Sequence, residues 1–136
     1  MVTPETANEK LVWSFIDCLN REDLDGLRPI LHPEASWTPM TTSDIPGAGG
    51  HHGHQGIIDE FLRPVRGLFE GTDPQNEIHS LFSKGDLVAA ETHGTGKLKN
   101  GKIYDNRYAW LIEVKGGRIF QIREYMDTAF IQTIVD

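Results

Sequence analysis

Two β-strands joined by a glycine turn are predicted within residues 104–130, YDNRYAWLIEVKGGRIFQIREYMDTAF. In the first strand every second residue from Tyr104 to Val114 is aromatic or aliphatic, apart from Asn106. In the second strand every second residue from 120 to 126 is apolar, apart from Glu124. Alternate side chains lie on the same face of a strand, so the pattern predicts one carboxylate on an otherwise apolar inner face.

The turn between these strands sets which residues lie opposite each other. A two-residue turn at Gly116-Gly117 would pair residue 114 with 119 and place an apolar face beside a polar one. A three-residue turn that begins at Lys115 pairs 114 with 118 and aligns the two apolar faces. We therefore predict the three-residue turn, with these cross-strand pairs: Tyr108 with Glu124, Trp110 with Ile122, and Asn106 with Met126.

The rest of the chain predicts helices first and hairpins afterwards, which is an α+β arrangement. Apolar residues recur at helical spacing in three segments, at 11–19, 24–31 and 57–69, and Pro64 should kink the third. Thr3 is expected to cap the first helix. Glycine-containing turns separate four predicted strands, near 76–83, 86–98, 103–114 and 118–127. We expect a cone-shaped, curved antiparallel sheet with the N-terminal helices packed over its concave face.

Two segments leave their structure less defined. Residues 41–56, TTSDIPGAGGHHGHQG, form a long glycine-rich loop of the kind that often covers a binding site. Its histidines, at 51, 52 and 54, resemble metal ligands, but the loop offers no fixed scaffold and no cysteine partner. We therefore expect a lid with one inward-facing histidine and no metal. The C-terminal segment from Thr128 fits either a short helix or an extension of the last strand.

Composition and charge limit the kinds of molecule that the protein is expected to bind. The 136 residues, 38% hydrophobic and 24% charged, fit one globular domain over residues 1–136. A net charge of -7 argues against nucleic acid and against an anionic membrane surface. Cys18 is the single cysteine, so no internal disulfide forms, and its apolar neighbours suggest a buried side chain. The sequence contains no long apolar run, so a cytoplasmic location is expected.

Glu124 is the leading candidate for chemistry. A carboxylate among Tyr108, Trp110, Ile122 and Met126 loses hydration, which raises its pKa toward neutrality. There it can both accept and release a proton. The alternative is a structural glutamate, paired with another group or placed at the wet rim of the sheet.

The facing of the strand at 86–98 stays open. If Asn100-Gly101 forms a two-residue turn, His93 lies opposite Tyr108 and shares the pocket with Glu124. A three-residue turn directs Thr92 and Gly94 inward instead, and leaves His93 to solvent or to a subunit contact. Alternation does not decide, because both faces of this strand begin with apolar residues.

The chain resembles the SnoaL-like group of the nuclear transport factor 2-like superfamily. The resemblance is strongest over residues 104–130 and extends to Trp37, to HQGIIDEFL at 54–62 and to ETHGTG at 91–96. This group contains polyketide cyclases, limonene-epoxide hydrolases, phenazine-biosynthesis A/B proteins and, more distantly, ketosteroid isomerases. The resemblance implies a pocket in a cone-shaped fold, with the carboxylate at Glu124 as the catalytic acid/base.

The chain also departs from these relatives. The epoxide hydrolases use an arginine and a second aspartate where this sequence has Thr92 and Gly94. The phenazine proteins carry a helix histidine near the position of Phe61, and the tyrosine and paired aspartates of the ketosteroid isomerases are not evident. The resemblance therefore implies a fold more firmly than a reaction.

We expect an acid/base enzyme, of the cyclase, isomerase or condensation type, that acts on a hydrophobic and cyclic small molecule. Glu124 would move the proton, and Tyr108 or His93 would stabilise the developing oxyanion. No cofactor is needed, and the resemblance implies a homodimer through the outer sheet face. The alternatives are a non-catalytic ligand-binding or dimerisation module and a variant epoxide hydrolase. The predicted substrate-binding residues are Trp37, Met40, Tyr104, Asn106, Trp110, Ile122 and Met126.

Overall fold

The computed structural model describes residues 2–135 and has a layer of helices packed on a curved six-stranded sheet. The helices are α1, Ala7–Asn20; α2, Arg63–Arg66; and α3, Thr128–Ile134. The strands are β1, Leu31–Pro39; β2, His51–His52; β3, Gln75–Lys84; β4, Leu87–Lys97; β5, Ile103–Lys115; and β6, Arg118–Met126. A π-helical segment, Gln55–Leu62, leads directly into α2. The α+β class is confirmed.

The sheet is mixed rather than wholly antiparallel. Its strand order is β2-β1-β6-β5-β4-β3, and β3 to β6 form the predicted antiparallel meander. β1 pairs with β6 in parallel, with Trp37 opposite Ile122. The chain passes from β1 to β3 through the glycine-rich loop and the helical segment, which carry it across to the far edge of the sheet. The free edge of β6 is thereby left for β1.

The turn between β5 and β6 has two residues, so the predicted three-residue turn was wrong. Gly116 and Gly117 have φ of 60° and 75°, the left-handed values that this tight hairpin turn requires at both positions. Val114 then pairs with Ile119, and a β-bulge before the next pair adds one residue to β6. The observed pairs are Tyr108 with Met126, Trp110 with Glu124, and Ile112 with Ile122.

The bulge explains why the predicted face survives the wrong turn. The two-residue turn and the extra residue together displace the pairing of β6 by two residues from the prediction. Side chains alternate with a period of two, so a displacement of two keeps each residue beyond the bulge, from Gln121 to Met126, on its predicted face. Glu124 therefore lies on the inner face with Trp110 and Tyr108.

The helical segments differ from the prediction at their ends. Thr6, and not Thr3, caps α1: its hydroxyl oxygen accepts a hydrogen bond from the Glu9 backbone N–H at 3.1 Å. The predicted second helix is reduced to a 3-10 turn, Asp25–Leu27, because β1 already begins at Leu31. Pro64 occupies the first turn of α2, directly after the π-helical segment.

Two hydrophobic clusters divide the interior. The larger one lies between α1, the π-helical segment and the sheet, and includes Phe15, Trp37 and Ile122. The smaller one forms around α3 and includes Tyr104 and Ile131. α3 is a helix rather than a strand extension. Within the described residues, no helix has the length and apolar character needed to cross a membrane.

Candidate active site

Glu124 occupies an enclosed position on the concave face of β6. Its side chain lies in the interior, and the residue is only 7% exposed. The Trp37 indole Nε1–H donates a hydrogen bond to Glu124 Oε1 at 3.1 Å. Among residues 2–135 no other donor bonds this carboxyl and no cation pairs with it. The second carboxyl oxygen is therefore available to the cavity.

Burial controls the protonation of this carboxyl. Loss of hydration disfavours the charged form and raises the pKa of Glu124 to about 7, while the hydrogen bond from Trp37 acts in the opposite direction. Both the acid and the carboxylate are therefore populated near neutral pH. A group with this pKa can take a proton from a ligand and return it.

A mainly apolar cavity of about 110 Å³ lies in front of Glu124. Trp37 forms its base and is held by ring contacts with Phe15 at 5.5 Å, Phe61 at 5.2 Å and Trp110 at 5.3 Å. The pairs with Phe61 and Trp110 are edge to face and the pair with Phe15 is tilted, and these contacts stiffen the wall. The cavity is thus a rigid aromatic chamber with few polar groups.

A tyrosine pair supplies hydroxyl groups to the same cavity. The hydroxyls of Tyr104 and Tyr108 hydrogen-bond to each other, and Asn106 Nδ2 donates to the Tyr104 oxygen at 3.3 Å. Burial raises the pKa of Tyr104 to about 12 and that of Tyr108 well above its ordinary value. Both hydroxyls therefore keep their protons at neutral pH. When Tyr104 donates to Tyr108, the Tyr108 proton remains free for a ligand oxygen.

Most of the predicted site residues surround one cavity. Its lining includes Glu124 together with Trp37, Tyr104, Tyr108, Trp110 and Met126. Ile122 lies deeper, fully buried in the larger cluster. Met40 was predicted wrongly: its side chain is 42% exposed, because β1 ends at Pro39 and the chain leaves the sheet there.

His93 lies on the opposite face of the sheet from Glu124, so its predicted place in the pocket was wrong. The β4–β5 hairpin closes through a hydrogen bond from Leu98 N–H to the Lys102 carbonyl, which leaves a three-residue turn. Thr92 consequently pairs with Tyr108. The His93 ring instead contacts Asp105, with 2.6 Å between Nε2 and Oδ1.

Thr92, and not His93, lies on the inner face of β4. It is 1% exposed, and its hydroxyl oxygen accepts a hydrogen bond from the Trp110 indole at 3.1 Å. This bond satisfies the indole and fixes one wall of the cavity. Gly94, the next inward position, adds no side chain at all.

The histidines of the glycine-rich loop point in different directions. His51 stacks on Phe61 with ring centroids 4.0 Å apart, and its Nε2 lies 2.8 Å from the Gly47 carbonyl oxygen. His54 Nε2 lies 2.9 Å from the Leu31 carbonyl oxygen, and His52 is exposed. Over residues 2–135, no three histidine, cysteine or acidic side chains are grouped so as to hold a metal ion. Ile45 and Pro46 bring this loop to the cavity wall.

Asn106 has a structural task beside the cavity. Its Oδ1 accepts hydrogen bonds from the backbone N–H groups of Arg107 at 2.8 Å and Asp127 at 3.1 Å. Its Nδ2 donates to the Asp127 carbonyl at 3.2 Å as well as to Tyr104. The side chain is 2% exposed, so the amide joins the end of β6 to β5 inside the protein.

Replacing Asn106 by aspartate should destabilise the fold by about 1–3 kcal/mol, because the variant keeps the acceptor and loses both donated hydrogen bonds in a buried place. Urea unfolding followed by tryptophan fluorescence measures the change. Glu113→Gln on the exposed face of the same strand is the control. An unchanged midpoint for Asn106→Asp would show that these hydrogen bonds contribute nothing to stability.

Sequence analysis missed two polar residues of the cavity, Asn76 and Arg66. Arg66 is the charged one. It belongs to α2, is 7% exposed and lies in the cavity wall. Its partners come from residues 19, 22, 72 and 74, so no local pattern marks it.

The helices packed on a curved, mixed six-stranded sheet form the nuclear transport factor 2-like fold. Residues 12–122 match the family model for the SnoaL-like domain, so the chain belongs to that family. None of the curated proteins matches the chain significantly.

Solved structures share the fold at low sequence identity. A nuclear transport factor 2-like protein of unknown function from Burkholderia pseudomallei is 21% identical with a TM-score of 0.85, over 96% of this chain and 98% of that chain. A putative SnoaL-like polyketide cyclase from Jannaschia sp. is 16% identical with a TM-score of 0.80, over 98% and 94%. An epoxide hydrolase of the limonene-epoxide type from M. tuberculosis is 21% identical with a TM-score of 0.73, over 93% and 87%.

Proposed function

We propose that this protein is a small-molecule acid/base enzyme of the cyclase, isomerase or condensation type, with Glu124 as the group that moves the proton. The observation that carries the proposal is the enclosed Glu124 carboxyl, which among residues 2–135 has one hydrogen-bond donor, Trp37, and no cation partner. A carboxylate held only for structure is expected to form an ion pair or to contact bulk water. The family also includes enzymes of this kind, such as the putative cyclase.

The proposed reaction begins at a carbon next to a carbonyl group. Glu124 removes a proton from that carbon, and the C–H electron pair moves into the enolate that results. The enolate oxygen accepts a hydrogen bond from the Tyr108 hydroxyl, whose raised pKa keeps its proton in place. If the enolate is conjugated with a C=C bond, protonated Glu124 returns the proton to the far carbon of that bond and the double bond shifts. Otherwise the enolate carbon attacks a second carbonyl, and the alkoxide that forms takes the proton from Glu124. The first outcome is an isomerisation and the second a cyclisation or condensation.

Deuterium exchange tests this step without knowledge of the natural substrate. Cyclic β,γ-unsaturated ketones of one or two rings are incubated with the protein in D₂O, and mass spectrometry measures deuterium at the carbon next to the carbonyl. We expect exchange with the wild-type protein and only the buffer rate with Glu124→Gln, which preserves shape but does not remove the proton. Glu113→Gln, an exposed carboxyl change on the neighbouring strand, is the matched control.

The possible outcomes separate the candidate functions. Equal exchange by the wild-type protein and Glu124→Gln would remove Glu124 from the mechanism. Ketones that bind and never exchange would favour the non-catalytic binding module. Epoxide hydrolysis is the weaker alternative, because the inward positions 92 and 94 hold a threonine and a glycine. The homodimer expected from the resemblance stays a prediction.

A further inference from the structure

Arg66 is a buried cation that the proposed proton transfer does not use. Its Nε donates to Glu22 at 3.0 Å, and its Nη2 donates to the carbonyl oxygens of Leu19 at 2.8 Å, Pro74 at 3.1 Å and Thr72 at 3.3 Å. Its remaining nitrogen, Nη1, has no hydrogen-bond partner among the described residues. Within residues 2–135, every side-chain nitrogen or oxygen that is shielded from solvent has a hydrogen-bond partner. Nη1 therefore reaches open space.

The open space that Arg66 lines is the cavity of Glu124. Arg66 belongs to the cavity wall, and its positive charge acts on the buried Tyr108 hydroxyl, whose pKa it lowers against the effect of burial. Arg66 donates to the Pro74 carbonyl directly before β3, and Asn76 on β3 also lines the cavity. Because β4 and β5 separate β3 from β6, Asn76 and Glu124 lie three strands apart in the sheet. The cavity thus has a carboxyl end and a guanidinium end.

The backbone at Glu22 is strained, and the ion pair between Glu22 and Arg66 explains why the strain is kept. Glu22 follows the C-cap of α1 and has φ of 59°, a left-handed conformation that usually belongs to glycine. A side chain in this conformation costs stability, because its Cβ lies too close to the following carbonyl oxygen. A glycine at this position would remove the cost together with the carboxylate that fixes Arg66. Strain of this kind is typically retained where a side chain has a task.

The charge balance around Arg66 favours an anion. Glu22 is the one carboxylate bonded to the guanidinium, and its side chain is 29% exposed, so water screens part of its charge. The other acceptors are neutral carbonyls. A guanidinium attracts a carboxylate as a full opposite charge, and this attraction is stronger in a low-dielectric cavity than the attraction to a neutral carbonyl oxygen. A ligand carboxylate at Nη1 would therefore gain more than a ligand amide or ketone at the same place.

We propose that the cavity takes an elongated apolar acid, whose carboxylate binds Arg66 Nη1 while its apolar body extends toward Glu124. This inference rests on the proposed function only in treating the cavity as a small-molecule site, and it needs no proton transfer. It specifies the substrate class: a hydrophobic ring system with one carboxylate at the end away from the reacting carbon.

Matched acids and amides test the proposal on the whole protein. Benzoate, naphthalene-2-carboxylate and biphenyl-4-carboxylate are each compared with their neutral amides by isothermal titration calorimetry at pH 6, where Glu124 is mainly protonated. We expect at least one acid to bind the wild-type protein about 10-fold or more tightly than its amide. Arg66→Gln should abolish this preference. Arg63→Gln, an exposed charge change on the same helix, should preserve it.

A second measurement covers the case in which Arg66→Gln does not fold. The guanidinium ¹H–¹⁵N signals of the wild-type protein are followed during titration with the acid and with the amide, and Arg66→Lys assigns them. An Arg66 signal that moves with the acid alone supports the proposal. An unmoved Arg66 signal, an acid preference that survives in Arg66→Gln, or the absence of binding by every acid would overturn it.

The result is independent of the exchange experiment. Glu124→Gln should retain the preference for the acid even if it loses proton exchange, because the carboxylate binds at the other end of the cavity. If Glu124→Gln keeps both the preference for the acid and the wild-type rate of exchange, only the proposed proton transfer is contradicted. If the wild-type protein shows no preference for the acid, while Glu124→Gln still abolishes proton exchange, only the role of Arg66 is contradicted.

Discussion

Glu124→Gln should make the protein more stable than the wild type at pH 8.5, by about 3 kcal/mol relative to their difference at pH 4. The pKa of Glu124 rises from an ordinary 4.5 to about 7 on folding, because burial disfavours the carboxylate. Each pKa unit corresponds to about 1.4 kcal/mol, which sets the size of the effect. Glutamine fills the same space, can still accept the hydrogen bond from Trp37 and carries no charge.

The sign follows from proton binding. Between pH 4.5 and pH 7 the unfolded chain releases the Glu124 proton and the folded protein keeps it, so wild-type stability falls as the pH rises. The contribution is fully present below the unfolded pKa and is lost by the time the pH has passed the folded pKa. Glu124→Gln lacks this loss. The gap between the two proteins should therefore open between pH 4 and pH 8 and then stay constant.

Urea unfolding at pH 4, 6 and 8.5, followed by tryptophan fluorescence, measures the gap. Glu113→Gln is the matched control, because it makes the same chemical change on the exposed face of the neighbouring strand. Its difference from the wild type should remain small at each pH. A Glu124→Gln difference that is equal at pH 4 and pH 8.5 would show that the carboxyl is hydrated in the folded protein.

The inner face of the sheet could be predicted because alternation is a local property. In β5 the aromatic and aliphatic residues occupy every second position, and tertiary contacts do not change which positions these are. The same rule placed Glu124 inside before its neighbours were known. Trp37 was also predicted to join the site, but its hydrogen bond to Glu124 spans 87 residues of sequence and leaves no local signal.

The register of β6 could not be predicted because the sequence around Phe120 gives no sign of the β-bulge. Phe120 is apolar and fits the alternation that continues to Met126, which favoured the three-residue turn. In the structure it is Ile119 that is fully buried. Phe120 instead packs against His32, with ring centroids 5.1 Å apart, and beneath the Lys115 ammonium, 4.6 Å from its ring. Phe120 thus packs against residues outside the core, although the alternation predicted that it would lie inside.

His93 and Arg66 show two further limits of the sequence. The facing of His93 depends on whether the β4–β5 turn has two residues or three, and both faces of β4 begin with apolar residues. The burial of Arg66 depends on carbonyl groups at the end of α1 and before β3, which meet only after folding. Both features belong to the tertiary structure, and no residue pattern near either one encodes them.

Trp37→Ala should destabilise the protein by about 3–5 kcal/mol, the usual cost of removing a large buried aromatic side chain. Trp37 is 1% exposed and touches Phe15, Phe61 and Trp110. The change would leave a hole in the base of the cavity and release the carboxyl of Glu124. Urea unfolding at pH 5 measures this cost with little contribution from Glu124 ionisation.

Trp37→Phe separates packing from electrostatics at the same site. Phenylalanine keeps most of the ring contacts but removes the indole N–H, which is the one hydrogen bond that lowers the pKa of Glu124. The pKa should therefore rise above about 7 in this variant. Carbon-13 NMR of the labelled glutamate carboxyl follows the titration directly, and Trp13→Phe on α1 is the control for loss of an indole elsewhere. A Glu124 pKa that stays the same or falls in Trp37→Phe would mean that the indole does not stabilise the carboxylate, and that burial alone sets its protonation.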